Sequence, residues 1–182
     1  MRMCSDVIGK PIITVDNGTN LGIATDLYFD QTLESVAGIF LGSQGMLRKK
    51  NGFVDARDIV LLGNDAILVC RSDARQGTES NAASRSWVRR KRVLGRPLTT
   101  SGGTFIGSVG GIYLDPNCEV RAFALARVQI AGPIATVGFI MRDAVLDAGD
   151  DDIPMRINLA KAEQQSSELL LKTVDRNPHK IR

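Results

Sequence analysis

Histidine is almost missing from this chain: His179, in the closing NPHKIR, is the only one. A Ser-His-Asp or Cys-His arrangement would lack its positioned base, which argues against nucleophilic catalysis of that kind. Cysteine is scarce as well. Cys4, Cys70 and Cys118 are odd in number, far apart and never spaced as CxxC, so they read as reduced thiols rather than a disulfide framework or a zinc site. No apolar run approaches the 18 residues that suggest a membrane span, and the opening MRMCSD lacks the apolar stretch of a secretory signal. Any membrane contact is then peripheral, and the expected location is intracellular. Glycine is plentiful at 18 residues, yet no GxxxxGK[ST] phosphate loop occurs. Asp147, Asp150, Asp151 and Asp152 cluster without the alternating ligands, central glycine and closing glutamate of a calcium loop, and are expected to form a solvated turn. The expectation is a protein without a catalytic centre, a metal or a cofactor.

What the chain does contain, it contains twice. VIGKPIIT from Val7 returns as VLGRPLTT from Val93, GIATDLYFD from Gly22 as GSVGGIYLD from Gly107, and FVDARDIVLL from Phe53 as GFIMRDAVLD from Gly138. Gly22 and Gly107, Tyr28 and Tyr113, Asp30 and Asp115, and Arg57-Asp58 and Arg142-Asp143 are each 85 residues apart. Solenoid units are usually about 20 to 50 residues long, so a repeat of this size is a small domain copied in tandem. The division expected is a first domain over 5–71, a basic linker over 72–92, a second domain over 93–157, a helix over 158–176 and a tail over 177–182. Each domain is near the lower size at which a core holds by itself.

Short runs of β-branched and aromatic residues between turn signals predict antiparallel strands. In the first copy these are Pro11 to Val15, Gly22 to Asp30, Ser35 to Gly42, Gly52 to Val60 and Ala66 to Arg71. Asp16-Asn17-Gly18 supplies a tight hairpin, because Asn and Gly tolerate positive φ. Five such strands around one apolar interior close most economically into a small barrel. The fold class expected is mainly β, two tandem small antiparallel barrels with a C-terminal α-helix.

The ordered set VIGKP, turn, LGIATDLYFD, VAGIFLG and FVDARDIVLLGNDAILV resembles the PRC-barrel family, found in the cytoplasmic part of the photosynthetic reaction-centre H subunit and at the C-terminal end of the ribosome-maturation factor RimM. In style the chain is most similar to the short bacterial members of the YlmC/YmxH type. The resemblance covers residues 7 to 71 well and 93 to about 157 less well. Family members often carry a proline before the Asp-Ile step, where this chain has Val54, Asp55 and Ala56. RimM-like proteins place a different N-terminal domain ahead of the PRC-barrel, and the expectation is that this chain lacks one. The resemblance implies an interaction module that docks onto larger assemblies and has no shared catalytic centre.

Positive charge is concentrated between the repeats. From Arg71 to Arg92 there are seven basic residues against two acidic ones, a local +5 within a chain whose net charge is +3. Trp87, the sole tryptophan, precedes the run Arg89, Arg90, Lys91, Arg92. Either Trp87 caps one barrel while the charges stay in water, or the segment meets RNA, an anionic membrane surface or an acidic protein face. Four phosphate contacts by these residues would weaken single-strand binding roughly 50-fold between 50 and 200 mM salt, which suits an auxiliary contact. A second basic group, Arg48, Lys49 and Lys50, falls in a loop tip that the second copy replaces with apolar Ile130 to Ile134. These eight residues are the candidate partner contacts.

Past Ile157, LAKAEQQSSELLLKTV is rich in helix formers, with Asn158 placed to cap the start. Its patchy apolar stripe predicts packing across a barrel mouth. Together these features point to a non-enzymatic adaptor or assembly factor for a larger complex. By resemblance, the setting is the photosynthetic apparatus at a thylakoid surface, in cytoplasm or plastid stroma. The alternative is an RNA- or ribosome-associated maturation factor that uses the basic linker.

Overall fold

The computed structural model describes residues 1–42, 52–76, 86–150 and 153–175. Its strands are β1 (Arg2–Met3), β2 (Pro11–Thr14), β3 (Asn20–Phe29), β4 (Val36–Gly42), β5 (Gly52–Asp55), β6 (Ile59–Leu62), β7 (Ile67–Val69), β8 (Arg75–Gln76), β9 (Val88–Arg89), β10 (Pro97–Thr100), β11 (Phe105–Leu114), β12 (Val120–Ala126), β13 (Phe139–Met141), β14 (Val145–Asp147) and β15 (Met155–Ile157). The helices are α1 (Arg90–Val93), α2 (Pro133–Val137) and α3 (Leu159–Asp175). The chain is mainly β with a C-terminal helix, as the alternating pattern predicts.

Two compact units divide it. One holds Met1–Val93 with Tyr113–Arg121, the other Leu94–Ile112 with Ala122–Arg182. The eight-stranded sheet runs β6-β7-β2-β3-β4-β5-β8, with β9 added to β3. The seven-stranded sheet runs β13-β12-β11-β10-β15-β14, with β1 added to β11. Most pairs are antiparallel, but β2 with β7 and β10 with β15 are parallel, and β6 and β14 each lie at one edge of their sheet.

The strand expected over Gly52 to Val60 is two strands. Asp55 accepts the Arg57 N–H with its side chain and starts a 3-10 turn, Ala56–Asp58, that turns the chain out of β5 and into β6. The central strands β3, β4 and β5 are buried at consecutive positions, so both of their faces are covered. Ile12, Leu27, Phe29, Ile39, Leu41, Phe53, Ile67 and Val69 are all inside the first unit. In the second unit, Leu98, Ile106, Ile112, Phe123, Ile140, Met155 and Ile157 do the same work. The apolar loop Ile130 to Ile134 runs into α2, with Pro133 at the first helical position, where its missing N–H costs nothing. Helix α3 begins as expected: Asn158 Oδ1 accepts the Lys161 N–H at 3.1 Å. Ala162 and Ser166, one turn apart, are its buried positions, and it packs on α2, β13 and the turn Arg142–Ala144.

The register of the repeat is not uniform. Lys10 and Arg96 are 86 apart and precede equivalent strands, β3 and β11 are offset by 85, β4 and β12 by 84, and the turns Ala56–Asp58 and Arg142–Ala144 by 86. The letters Arg57-Asp58 and Arg142-Asp143 therefore lie one residue out of step in the structure. Arg57 corresponds to Asp143.

Two short arms lie equally far ahead of the two repeats. In the first, Arg2–Met3 pairs with Leu114–Tyr113; in the second, Val88–Arg89 pairs with Phe29–Tyr28. Each arm thus adds to the long strand of the other repeat, and all four segments belong to the first unit.

Candidate interaction surface

Trp87 and the arm that follows it lie on the first sheet and do not project from it. Tyr28, Phe40 and Phe53 form a buried aromatic cluster, with Trp87 half-buried against it. Its ring meets Phe53 edge-on at 5.5 Å between centroids and lies 6.2 Å from Tyr28. The fit needs Gly38, because a Cβ there would come 3.0 Å from Trp87 Cζ3 and 2.8 Å from the Val54 carbonyl oxygen.

Beside the tryptophan, Asp26 is completely buried in β3. Arg89 Nε donates to its Oδ2 at 2.8 Å and Arg90 Nε to its Oδ1 at 3.1 Å. Arg89 also stands over the Phe40 ring, 5.8 Å from its centroid. Two of the four charges in the Arg89 to Arg92 run are thus engaged inside the first unit. Lys91 and Arg92, on α1, are exposed. Arg48, Lys49 and Lys50 lie outside the described residues, as do His179, Asp151 and Asp152. Asp147 pairs with Arg156 at 2.7 Å, and no group of three metal-binding side chains occurs among the described residues.

The edge strands carry exposed apolar side chains at matching places. Pairing of β6 with β7 skips Val60 between Ile59 and Leu61, and pairing of β14 with β15 skips Leu146 between Val145 and Asp147. Both skipped residues are bulges in an edge strand, 57% and 60% exposed. Leu61 and Ile153 are exposed nearby. Residue-by-residue alternation does not reveal this correspondence, since the shared letters align Val60 with Val145, which is buried.

A third feature escaped the sequence pattern. The Lys10 ammonium donates to the Gly63 carbonyl at 3.1 Å; in the second repeat the equivalent Arg96 donates to Ala148 O at 2.8 Å and Gly149 O at 3.2 Å. Arg96 is buried, whereas Lys10 is half-buried at the edge of a cleft of about 420 Å³.

The thiols are poor nucleophiles. Burial pushes Cys4 up to about 12, and burial with the nearby Asp115 carboxylate pushes Cys118 up to about 11. Burial and the Asp58 carboxylate, which accepts its S–H, raise Cys70 as well. The turn carboxylates behave oppositely. Burial alone would raise Asp30, but the hydroxyls of Ser35 and Thr32 and the N–H groups of Glu34 and Ser35 outweigh it and hold the group below its ordinary value.

Residues 1–75 match the family model of the PRC-barrel domain. The PRC-barrel domain is a protein-interaction and assembly domain. The match ends at residue 75, so the second repeat rests on its internal likeness to the first. No curated protein matches the chain. Among the described residues, no helix is long and apolar enough to cross a membrane.

Proposed function

We propose that this protein is a non-enzymatic adaptor or assembly factor that docks onto a larger protein complex through the outer faces of its PRC-barrel sheets. The observation that carries this reading is the pair Val60 and Leu146, two exposed apolar bulge residues at the same place in two edge strands. Bulges keep an edge from pairing freely with other strands, while an exposed apolar side chain retained there favours a specific partner. Histidine is nearly absent, and all three thiols are raised above their ordinary value, which disfavours the thiolate that nucleophilic catalysis needs. The photosynthetic apparatus is the setting suggested by the resemblance to the reaction-centre H subunit, with the protein peripheral to the thylakoid in cytoplasm or plastid stroma. Engagement of Arg89 and Arg90 by Asp26 reduces the charge available for the alternative, an RNA or a ribosomal partner.

The test is affinity capture of the full chain from its native extract, compared with Val60→Glu/Leu146→Glu and with Lys91→Gln/Arg92→Gln, each with and without nuclease. The expected result is a stoichiometric protein complex that survives nuclease, is lost with the first pair and is kept with the second. Nuclease-sensitive association lost with the linker pair overturns the adaptor reading in favour of RNA.

A further inference from the structure

The cleft beside Lys10 holds more positive charge than its structural task requires. In the second repeat a single cation, Arg96, satisfies the turn carbonyls of Ala148 and Gly149. In the first repeat the equivalent Gly63 carbonyl receives two cations: Lys10 Nζ at 3.1 Å and Arg2 Nη1 at 2.6 Å. Arg2 Nη2 reaches Asn64 Oδ1 at 3.0 Å. The two charged heads therefore stand no farther apart than those two bonds laid end to end, with one neutral oxygen between them. Among the described residues neither has a carboxylate partner. Like charges held that close are unfavourable unless an anion joins them. Gly63 is needed for this convergence, since a Cβ there would sit 2.5 Å from the Ala66 oxygen in the tight turn that presents the carbonyl.

The walls narrow the chemistry of that anion. Leu61, Leu62, Leu114 and Pro116 make one side of the cleft apolar. Two aspartates also line it. Asp115 is already held by Arg121 and by the N–H groups of Asn117 and Glu119. Asp6 takes only the Met3 N–H and the Ser5 hydroxyl, and its charge disfavours a dianion next to it. A single carboxylate flanked by an aliphatic group matches both the surplus charge and the apolar wall.

We infer that the Arg2–Lys10 cleft is a docking site for an acidic-aliphatic peptide segment of the partner protein, a Glu or Asp carboxylate bridging the two cations with a neighbouring aliphatic side chain against Leu61 and Leu114. The inference rests on the adaptor reading and names the chemistry of its partner. Both cationic donors retain uncommitted N–H groups, since Lys10 uses one of three and Arg2 two of five.

The experiment is an amide NMR titration of the full chain with acetyl-Leu-Glu-Leu-amide. The neutral control is acetyl-Leu-Gln-Leu-amide, and inorganic phosphate forms a third arm. The expected result is saturable shifts at Gly63, Asn64 and Lys10 with the acidic peptide, and at least tenfold weaker responses to the other two. Arg2→Gln/Lys10→Gln should weaken the acidic peptide at least tenfold with signals elsewhere unchanged, and Arg2→Lys should retain most of the response. Equal response to the neutral peptide, tighter response to phosphate, or indifference to the double substitution overturns the assignment. Because the titration reads the cleft alone and the capture experiment varies Val60 and Leu146, failure of the cleft and failure of the adaptor reading are separate results.

Discussion

Arg90 reaches across 64 residues of sequence to place its Nε 3.1 Å from Oδ1 of Asp26, a carboxylate with no solvent exposure. Arg89 holds the other oxygen. Removing one partner of a buried charge pair costs about 3–5 kcal/mol, because the remaining charge is left without its counterpart. Asp26→Ala should lower stability by about 3 kcal/mol, read as a fall in the urea midpoint at unchanged slope. Arg89→Ala, with Arg90 still in place, should cost less than half of that. Equal losses from the two substitutions would show that Asp26 depends on Arg89 alone.

Trp87 offers an independent readout of the same segment, the strap Trp87–Arg90 that lies on the first sheet. Its contacts with Phe53 and Tyr28 shield it, and it is the only tryptophan in the chain. Trp87→Ala removes a large half-buried ring, and the loss should be about 2–3 kcal/mol, at or below the range for fully buried aromatics. Gly38→Ala drives a methyl into the Val54 carbonyl and Trp87, and should shift tryptophan emission to the red in the folded protein. An unchanged spectrum in Gly38→Ala would mean that the ring does not rest on β4.

The strap also shows what the sequence could and could not disclose. Strands, hairpins and the Asn158 cap were legible because they depend on neighbours a few residues away. The inward fate of Arg89 and Arg90 was not, since Asp26 occupies a strand position that reads locally as one more polar residue. The Arg57-Asp58 and Arg142-Asp143 match misled for a related reason. One-residue differences in the intervening turns move the backbone register from 86 to 85 to 84 and back, while the letters keep a constant spacing. Val60 and Leu146 become partners only after strand pairing is known, and Arg2 meets Lys10 only through a turn 53 residues from Lys10.

Thiol chemistry gives a direct check on burial. With Cys4 pushed up to about 12 and Cys118 to about 11, almost no thiolate exists at neutral pH. Iodoacetamide at pH 7.5 should label the native protein slowly, with Cys70, the least buried by its surroundings, first and Cys4 last. In denaturant all three should label at one common rate. Fast native labelling of Cys4, followed by mass spectrometry, would contradict its burial.

Acid should loosen helix α3 before it unfolds the sheets. Gln165 donates to both oxygens of Asp143, and Lys161 lies 3.1 Å from Oδ2, so the carboxyl is held below its ordinary value. A depressed carboxylate contributes stability that is fully present above its unfolded value, about 4, and is lost as pH falls below that through the lower folded value. The pair is largely exposed, so its share is small, about 0.5 kcal/mol. Hydrogen exchange should show α3 amides near Gln165 losing protection below about pH 4, while those of β11 and β12 stay protected. Asp143→Ala should produce the same loosening at neutral pH and abolish its acid dependence. If the variant keeps that dependence, another carboxylate governs how the helix is held.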